Sequence, residues 1–124
     1  MPVIDHKELR KISSELLKAV GASNEESEII ARHCIDANLV GHDSHGIIQI
    51  PTYIDRVERG HIIPGAEIDI LKESPTTTVV DGNWGFGYVV AEKTMNRLIE
   101  KAKTHSIAAG TIHRQSHIGR LADY

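Results

Sequence analysis

With a single cysteine, Cys34, the chain can form no intrachain disulfide. Residues 1–7 hold no long apolar core of the kind a signal peptide needs, and no later apolar run approaches the length of a membrane span, so a cytoplasmic protein is expected. Basic charge is sparse and scattered. The 14 Lys and Arg are outnumbered by 17 Asp and Glu, a net charge of −3 that leaves no electrostatic footprint for DNA or RNA. Metal motifs are missing as well. Of the eight His, His42 and His45 are three apart and His113 and His117 four apart, but the second pair falls on a strand and turn rather than on one helical face. Neither H-E-x-x-H nor a companion cysteine accompanies them, so no metal site is expected. A serine-hydrolase reading lacks its G-x-S-x-G elbow, and Asp43, Ser44 and His45 are consecutive, whereas adjacent residues seldom converge as a nucleophile triad.

What the chain does have is Gly41-His42-Asp43-Ser44-His45-Gly46, two imidazoles, a carboxylate and a hydroxyl set between glycines. Local chemistry supports two readings of it. It can be a proton-transfer site, because His exchanges protons near neutral pH, or a helix-end turn in which Gly41 terminates a helix and Asp43 and Ser44 cap the next.

A chain of 124 residues with 40% apolar and 25% charged content suits a soluble globular protein with one modest core. Asp5 and Glu8 have capping-box spacing ahead of an apolar stripe of Leu9, Ile12, Leu16, Ala19 and Val20, closed by Gly21. Ser23 with Glu26 opens a second helix, whose stripe of Ile30, Cys34, Ala37 and Val40, joined by Ile29 and His33, runs to Gly41. Cys34 reads as a small core residue and His33 as a partly buried one. Pro51 suits the first turn of a third helix carrying Tyr53, Ile54 and Val57 and stopping at Gly60.

The Pro/Gly break at residues 61–65 marks a change of period. Ile68, Ile70 and Leu71 suggest a first strand, the β-branched run Thr76 to Val80 a second, and Ile107 to His113 a third. A helix over Tyr88 to Lys103, with Ala91, Met95, Leu98 and Ala102 on one face, joins the second strand to the third, and another helix is expected to start after Arg120. Glycines at 82, 85 and 87 read G-x-x-G-x-G, not the dinucleotide fingerprint G-x-G-x-x-G. We therefore expect Gly82 and Asn83 to take unusual backbone angles in a turn, and Gly85 and Gly87 to allow tight packing under Trp84 and Phe86, rather than a phosphate cradle. The fold class expected is mixed α+β, not Rossmann. Residues 1–63 form a three-helix segment carrying the D-S-H-G motif, and residues 64–124 the first part of an α/β domain, truncated at its end.

Residues Gly41 to Gly46 with Pro51 and Tyr53 following, Asp81 through Gly87, and His113 through Arg120 together resemble the N-terminal part of the malate/L-lactate dehydrogenase family, which is distinct from the Rossmann-fold malate and lactate dehydrogenases. The three motifs stand in the family's order and cover nearly the whole chain. The ending His117-Ile118-Gly119-Arg120 is most similar to the hydroxycarboxylate dehydrogenase branch. The resemblance implies an oxidoreductase using NAD or NADP on a small 2-hydroxy or 2-oxo acid, homodimeric at full length. It assigns His45 as proton donor or acceptor with Ser44 in its hydrogen-bond network, and places His117 beside substrate and nicotinamide. It puts Gly119 with the two His on the cofactor side. Gln49 stands where several members carry an Arg that grips the substrate carboxylate, and it can hydrogen-bond but cannot supply charge. Family members continue well beyond Tyr124, so most of the cofactor site is expected outside this sequence and the chain alone is expected to be inactive. The competing reading is a non-catalytic remnant or a small His-rich ligand- or metal-binding module.

Overall fold

A computed structural model describes residues 3–124. Helix α1 (His6–Ala19) starts at Asp5, whose carboxylate accepts from the amides of Lys7 and Glu8 at 2.9 and 3.2 Å. Helix α2 (Asn24–Leu39) has the full reciprocal box expected of Ser23 and Glu26, worth about 1 kcal/mol for the hydroxyl cap. The Glu26 carboxylate does more than cap. It is 7% exposed and accepts from the amides of both Ser23 and Gly65 at 2.8 Å, so it ties the start of α2 to the Pro/Gly break 39 residues away.

The buried face of α1 differs from the expected stripe. Ser13, Ser14 and Leu17 face the core, while Ile12 and Leu16 are 45% and 46% exposed. The reason is close approach: small side chains let α1 pack directly on α2, where Ser14 Oγ donates to Ser27 Oγ at 3.1 Å. Val40, the last residue of the α2 stripe, is likewise exposed, because it lies past the helix end as the C-cap. His33 is more deeply buried than expected, at 2% exposure.

Two short 3-10 turns, Asp43–His45 and Ile47–Gln49, lead into α3 (Ile50–Glu58), with Pro51 in its first turn. The sheet follows. Strand β1 (Asp69–Glu73) pairs antiparallel with β2 (Thr77–Asp81), with a bulge between Ile70 and Lys72, and β2 pairs parallel with β3 (Ala109–His113) in the order β1-β2-β3. Helix α4 (Gly87–His105) is the crossover that a parallel pair requires. The third strand starts later than expected. Ser106 at φ +71° ends α4 and leaves Ile107 73% exposed, outside the ladder. After Arg120 the chain makes a 3-10 turn, Leu121–Asp123, where a helix start was expected.

The principal core lies between helices. Leu17, Ala22, Ile30, Cys34, Ile50, Tyr53, Ile62, Phe86, Tyr88 and Val89 form one buried cluster, drawing side chains from both sides of residues 63/64. Each large apolar side chain there contributes on the order of 2 kcal/mol. A polar clasp joins α2 to α4 beside it: His33 Nε2 meets Glu92 Oε2 at 2.8 Å, Arg32 binds the same carboxylate, and the His33 ring lies between Tyr88 and Tyr124 with centroids 5.2 and 5.1 Å away. Burial pushes the Glu92 carboxyl up, but its bonds to His33 and Arg32 outweigh that and hold it below the usual carboxylate range.

The loop from β2 to α4 is laced to the segment after β3. Gly82 N–H donates to the His113 carbonyl at 2.9 Å and Trp84 N–H to the Arg114 carbonyl at 2.7 Å, while the Trp84 carbonyl accepts from Ile63 N–H at 3.0 Å. The unusual angles fall one residue later than expected: Asn83 and Trp84, at φ +47° and +60°, are left-handed, and Gly82 is not. Gly87 lies against the carbonyls of Ser116 and His117, where a Cβ would come within 2.3 Å of each oxygen. Among the described residues no helix is long and apolar enough to cross a membrane.

Candidate active site

The D-S-H-G turn is fixed by one side chain that the sequence reading did not single out. Asn38, in the last turn of α2, accepts from Ile47 N–H through Oδ1 at 2.8 Å and donates through Nδ2 to Asp43 Oδ1 at 2.6 Å. Both ends of the turn are thereby anchored to α2. Gly41 supplies the φ of +77° that turns the chain out of that helix. Asp43 is therefore structural. His42 stays exposed, with its ring edge-on to His45 at a centroid distance of 4.3 Å.

His45 is half-buried, and its Nδ1 lies 3.0 Å from Ser44 Oγ. Its ring stands 5.3 Å from that of His117, which arrives from 72 residues later, on the segment after β3. The pair that the motifs pointed to is thus assembled. Gln49 donates Nε2 to the Ser44 carbonyl at 2.9 Å, so its amide braces the motif backbone. Gly119 is buried beneath Tyr88, at φ +73°, where a Cβ would lie 2.1 Å from the phenol ring. The missing side chain is what lets the Tyr88 ring pack directly on this backbone.

Two further residues complete the arrangement. Tyr53 Oη lies 2.7 Å from His117 Nδ1 and 3.0 Å from Tyr88 Oη, and the Cys34 thiol donates to Tyr88 Oη at 3.8 Å. Burial raises all three of these acids, pushing the Cys34 thiol up to about 11 and both phenols above their ordinary value, so each stays protonated at neutral pH. The His117 imidazole moves the other way: burial first, then the charges of His45 and Arg56, push it below its ordinary value. Arg56 on α3 makes no ion pair among the described residues. In sequence Tyr53 reads as part of an apolar helix face and Tyr88 as the start of a helix, and nothing local marks a hydroxyl whose partner is 35 or 64 residues distant.

The glycine turn offers little to a phosphate. The amides of Gly82, Asn83, Trp84, Gly85 and Gly87 donate to His113, Asp81, Arg114, Gly82 and Ser116, so these five donors are already taken. Among the described residues no group of three or more His, Cys, Asp or Glu is placed to hold a metal ion.

Two imidazoles facing one another, one on a serine hydroxyl and the other on a tyrosine hydroxyl, are the equipment of an acid–base site. Comparison with known proteins is more specific. The malate/L-lactate dehydrogenase family matches over residues 4–124, and the chain belongs to that family. It is 38% identical over 117 residues to hydroxycarboxylate dehydrogenase B of Escherichia coli, an alignment covering 94% of this chain and 32% of the relative. It is 39% identical over 115 residues to the L-sulfolactate dehydrogenase of Methanocaldococcus jannaschii, covering 93% and 33%. The solved sulfolactate dehydrogenase from M. jannaschii superimposes with a TM-score of 0.94 at 36% identity, covering 97% of this chain and 35% of the other. The chain spans about a third of the length of these relatives.

Proposed function

We propose that this chain is the N-terminal part of an NAD- or NADP-dependent oxidoreductase that moves a hydride between nicotinamide and C2 of a small 2-hydroxy or 2-oxo acid, with His45 giving or taking the proton at the substrate oxygen. The observation that carries this reading is the His45 ring, held at Nδ1 by Ser44 Oγ and standing 5.3 Å from His117. Oxidising a 2-hydroxy acid removes a hydride from carbon and a proton from oxygen, and the two transfers must be matched. An imidazole can serve both directions near neutral pH.

The bound nicotinamide would supply or accept the hydride. Its reacting end would lie beside His45 and His117, whereas the amides of Gly82, Asn83, Trp84, Gly85 and Gly87 are already bonded and not free for its phosphates. His45 moves the proton; His117 offers a hydrogen bond; Ser44 orients His45. Gln49, occupied with the Ser44 carbonyl, carries no charge to meet a carboxylate. Arg56, whose charge is felt at both His117 and Tyr53, is the cation available for that purpose on this segment. The 124-residue chain alone should not oxidise NAD(P)H with 2-oxo acids.

The test uses a chain continued to the length of its relatives. His45→Ala should lower kcat by about 10²–10⁴, the usual contribution of a positioned acid–base group, with dinucleotide affinity preserved. Normal turnover in that variant would remove His45 from the role, and robust turnover by the 124-residue chain would refute the division of labour.

A further inference from the structure

The hydroxyl string behind His117 has a direction, and that direction fixes which ring nitrogen of His117 carries a proton. Four groups stand in line: Cys34 Sγ, Tyr88 Oη, Tyr53 Oη and His117 Nδ1, separated by 3.8, 3.0 and 2.7 Å. Cys34, Tyr53 and Tyr88 are all at or below 2% exposure, so no solvent reorients the string from within. Each phenol has one hydrogen to donate, and it must choose a neighbour.

Two observations favour one choice. The contact to His117, at 2.7 Å, has the length of an O–H donor bond and is shorter than the 2.9–3.0 Å usual for an N–H donor. At the other end the sulfur of Cys34 is a weak acceptor, so a string ending with a phenol donating into sulfur wastes its terminal hydrogen. With the thiol donating into Tyr88, the hydrogens run Cys34 to Tyr88 to Tyr53 to His117 Nδ1.

We propose that Tyr53, oriented by Tyr88 and Cys34, is a positioning residue that holds His117 as the neutral tautomer with its proton on Nε2. That nitrogen has no protein partner among the described residues, and the ring therefore presents a fixed hydrogen-bond donor. A donor there serves a carbonyl or carboxylate oxygen and cannot take up a hydroxyl proton, so the exchangeable proton is left to His45. The burial that depresses His117 basicity acts in the same sense, keeping the ring uncharged. The functional consequence rests on the dehydrogenase reading above, but the tautomer itself does not.

Long-range ¹H–¹⁵N correlation on the 124-residue chain at about pH 9, well above the His reference value of about 6.5, separates the possibilities. His117 should give a pyridine-like Nδ1 and a pyrrole-like Nε2 as a single tautomer. In Tyr53→Phe the donor is gone and an Nδ1–H population should appear. Tyr88→Phe is the second variant should the first not fold; it frees the Tyr53 oxygen to accept from Nδ1 and should also populate Nδ1–H. A proton on Nδ1 in the parent chain, or a single Nε2–H tautomer persisting in the folded variants, overturns the proposal. Because no substrate or dinucleotide is present, this outcome is independent of whether the dehydrogenase reading stands.

Discussion

Gly41 and Gly119 make a matched pair for testing what holds the site together. Both are left-handed, at φ +77° and +73°. Around Gly41 a Cβ meets nothing within 4 Å; at Gly119 it lands 2.1 Å from Cε1, 2.6 Å from Cζ and 2.7 Å from Oη of Tyr88. Tyr88 has little room to yield, since its hydroxyl is bonded to Tyr53 and its ring packs on His33 at 5.2 Å. Gly41→Ala should therefore cost only the left-handed backbone term, about 1 kcal/mol. Gly119→Ala adds overpacking of about 1–3 kcal/mol, for a loss of roughly 2–4 kcal/mol. With a urea m-value of about 1.5 kcal/mol per M, the midpoint should fall by about 0.7 M in the first variant and by about 1.3 M or more in the second, at unchanged m. Circular dichroism through a urea titration reads both. Equal midpoints for the two variants would mean that Tyr88 does not press on Gly119, and the packing argument would fail.

Two other perturbations test contacts elsewhere in the chain. Asn38→Ala removes the acceptor of Ile47 N–H and the donor to Asp43, so stability should fall by about 1–3 kcal/mol and the Ile47 amide should lose protection from hydrogen exchange; unchanged exchange at Ile47 would remove Asn38 as the anchor. Hydrogen bonds from Arg97, then Lys101, hold the Glu73 carboxyl at about 2, below its ordinary 4.5, so the folded chain binds fewer protons than the unfolded chain between those values. Stability from this cluster is present above pH 4.5 and lost as pH falls toward 2. The melting temperatures of parent and Glu73→Gln should accordingly differ at neutral pH and converge near about pH 2, and a gap that persists in acid would show that charge is not what Glu73 supplies.

Helix beginnings were legible because their causes are local. Asp5, the Ser23 and Glu26 box, and Pro51 all sit where their chemistry placed them. The face of α1 was not, because a 3.6-residue period cannot tell an apolar stripe from the neighbouring stripe of Ser13, Ser14 and Leu17 that fits closer to α2. Strand limits moved by one or two residues for a related reason: the ladder is set by partners, and Ile107, apolar and β-branched, has none. At the site, the three motifs carried Ser44, His45 and His117, which the fold brings together. What orients them was hidden. Asn38 carries no motif that singles it out, and Tyr53 reads as part of an apolar helix face, since a hydrophobic pattern counts the ring and ignores the hydroxyl.

Trp84, the only tryptophan of the chain, stands where three segments are stitched by backbone bonds, to Ile63 on one side and Arg114 on the other. Half its surface is open to solvent, at 47% exposure, and it belongs to no part of the buried cluster between the helices. The molecule thus carries a built-in optical probe of that junction. Its emission follows how the segment bearing His117 is seated against the remainder, while circular dichroism follows the helices, and a disagreement between the two signals would mean the acid–base pair had come apart in a chain that was still folded.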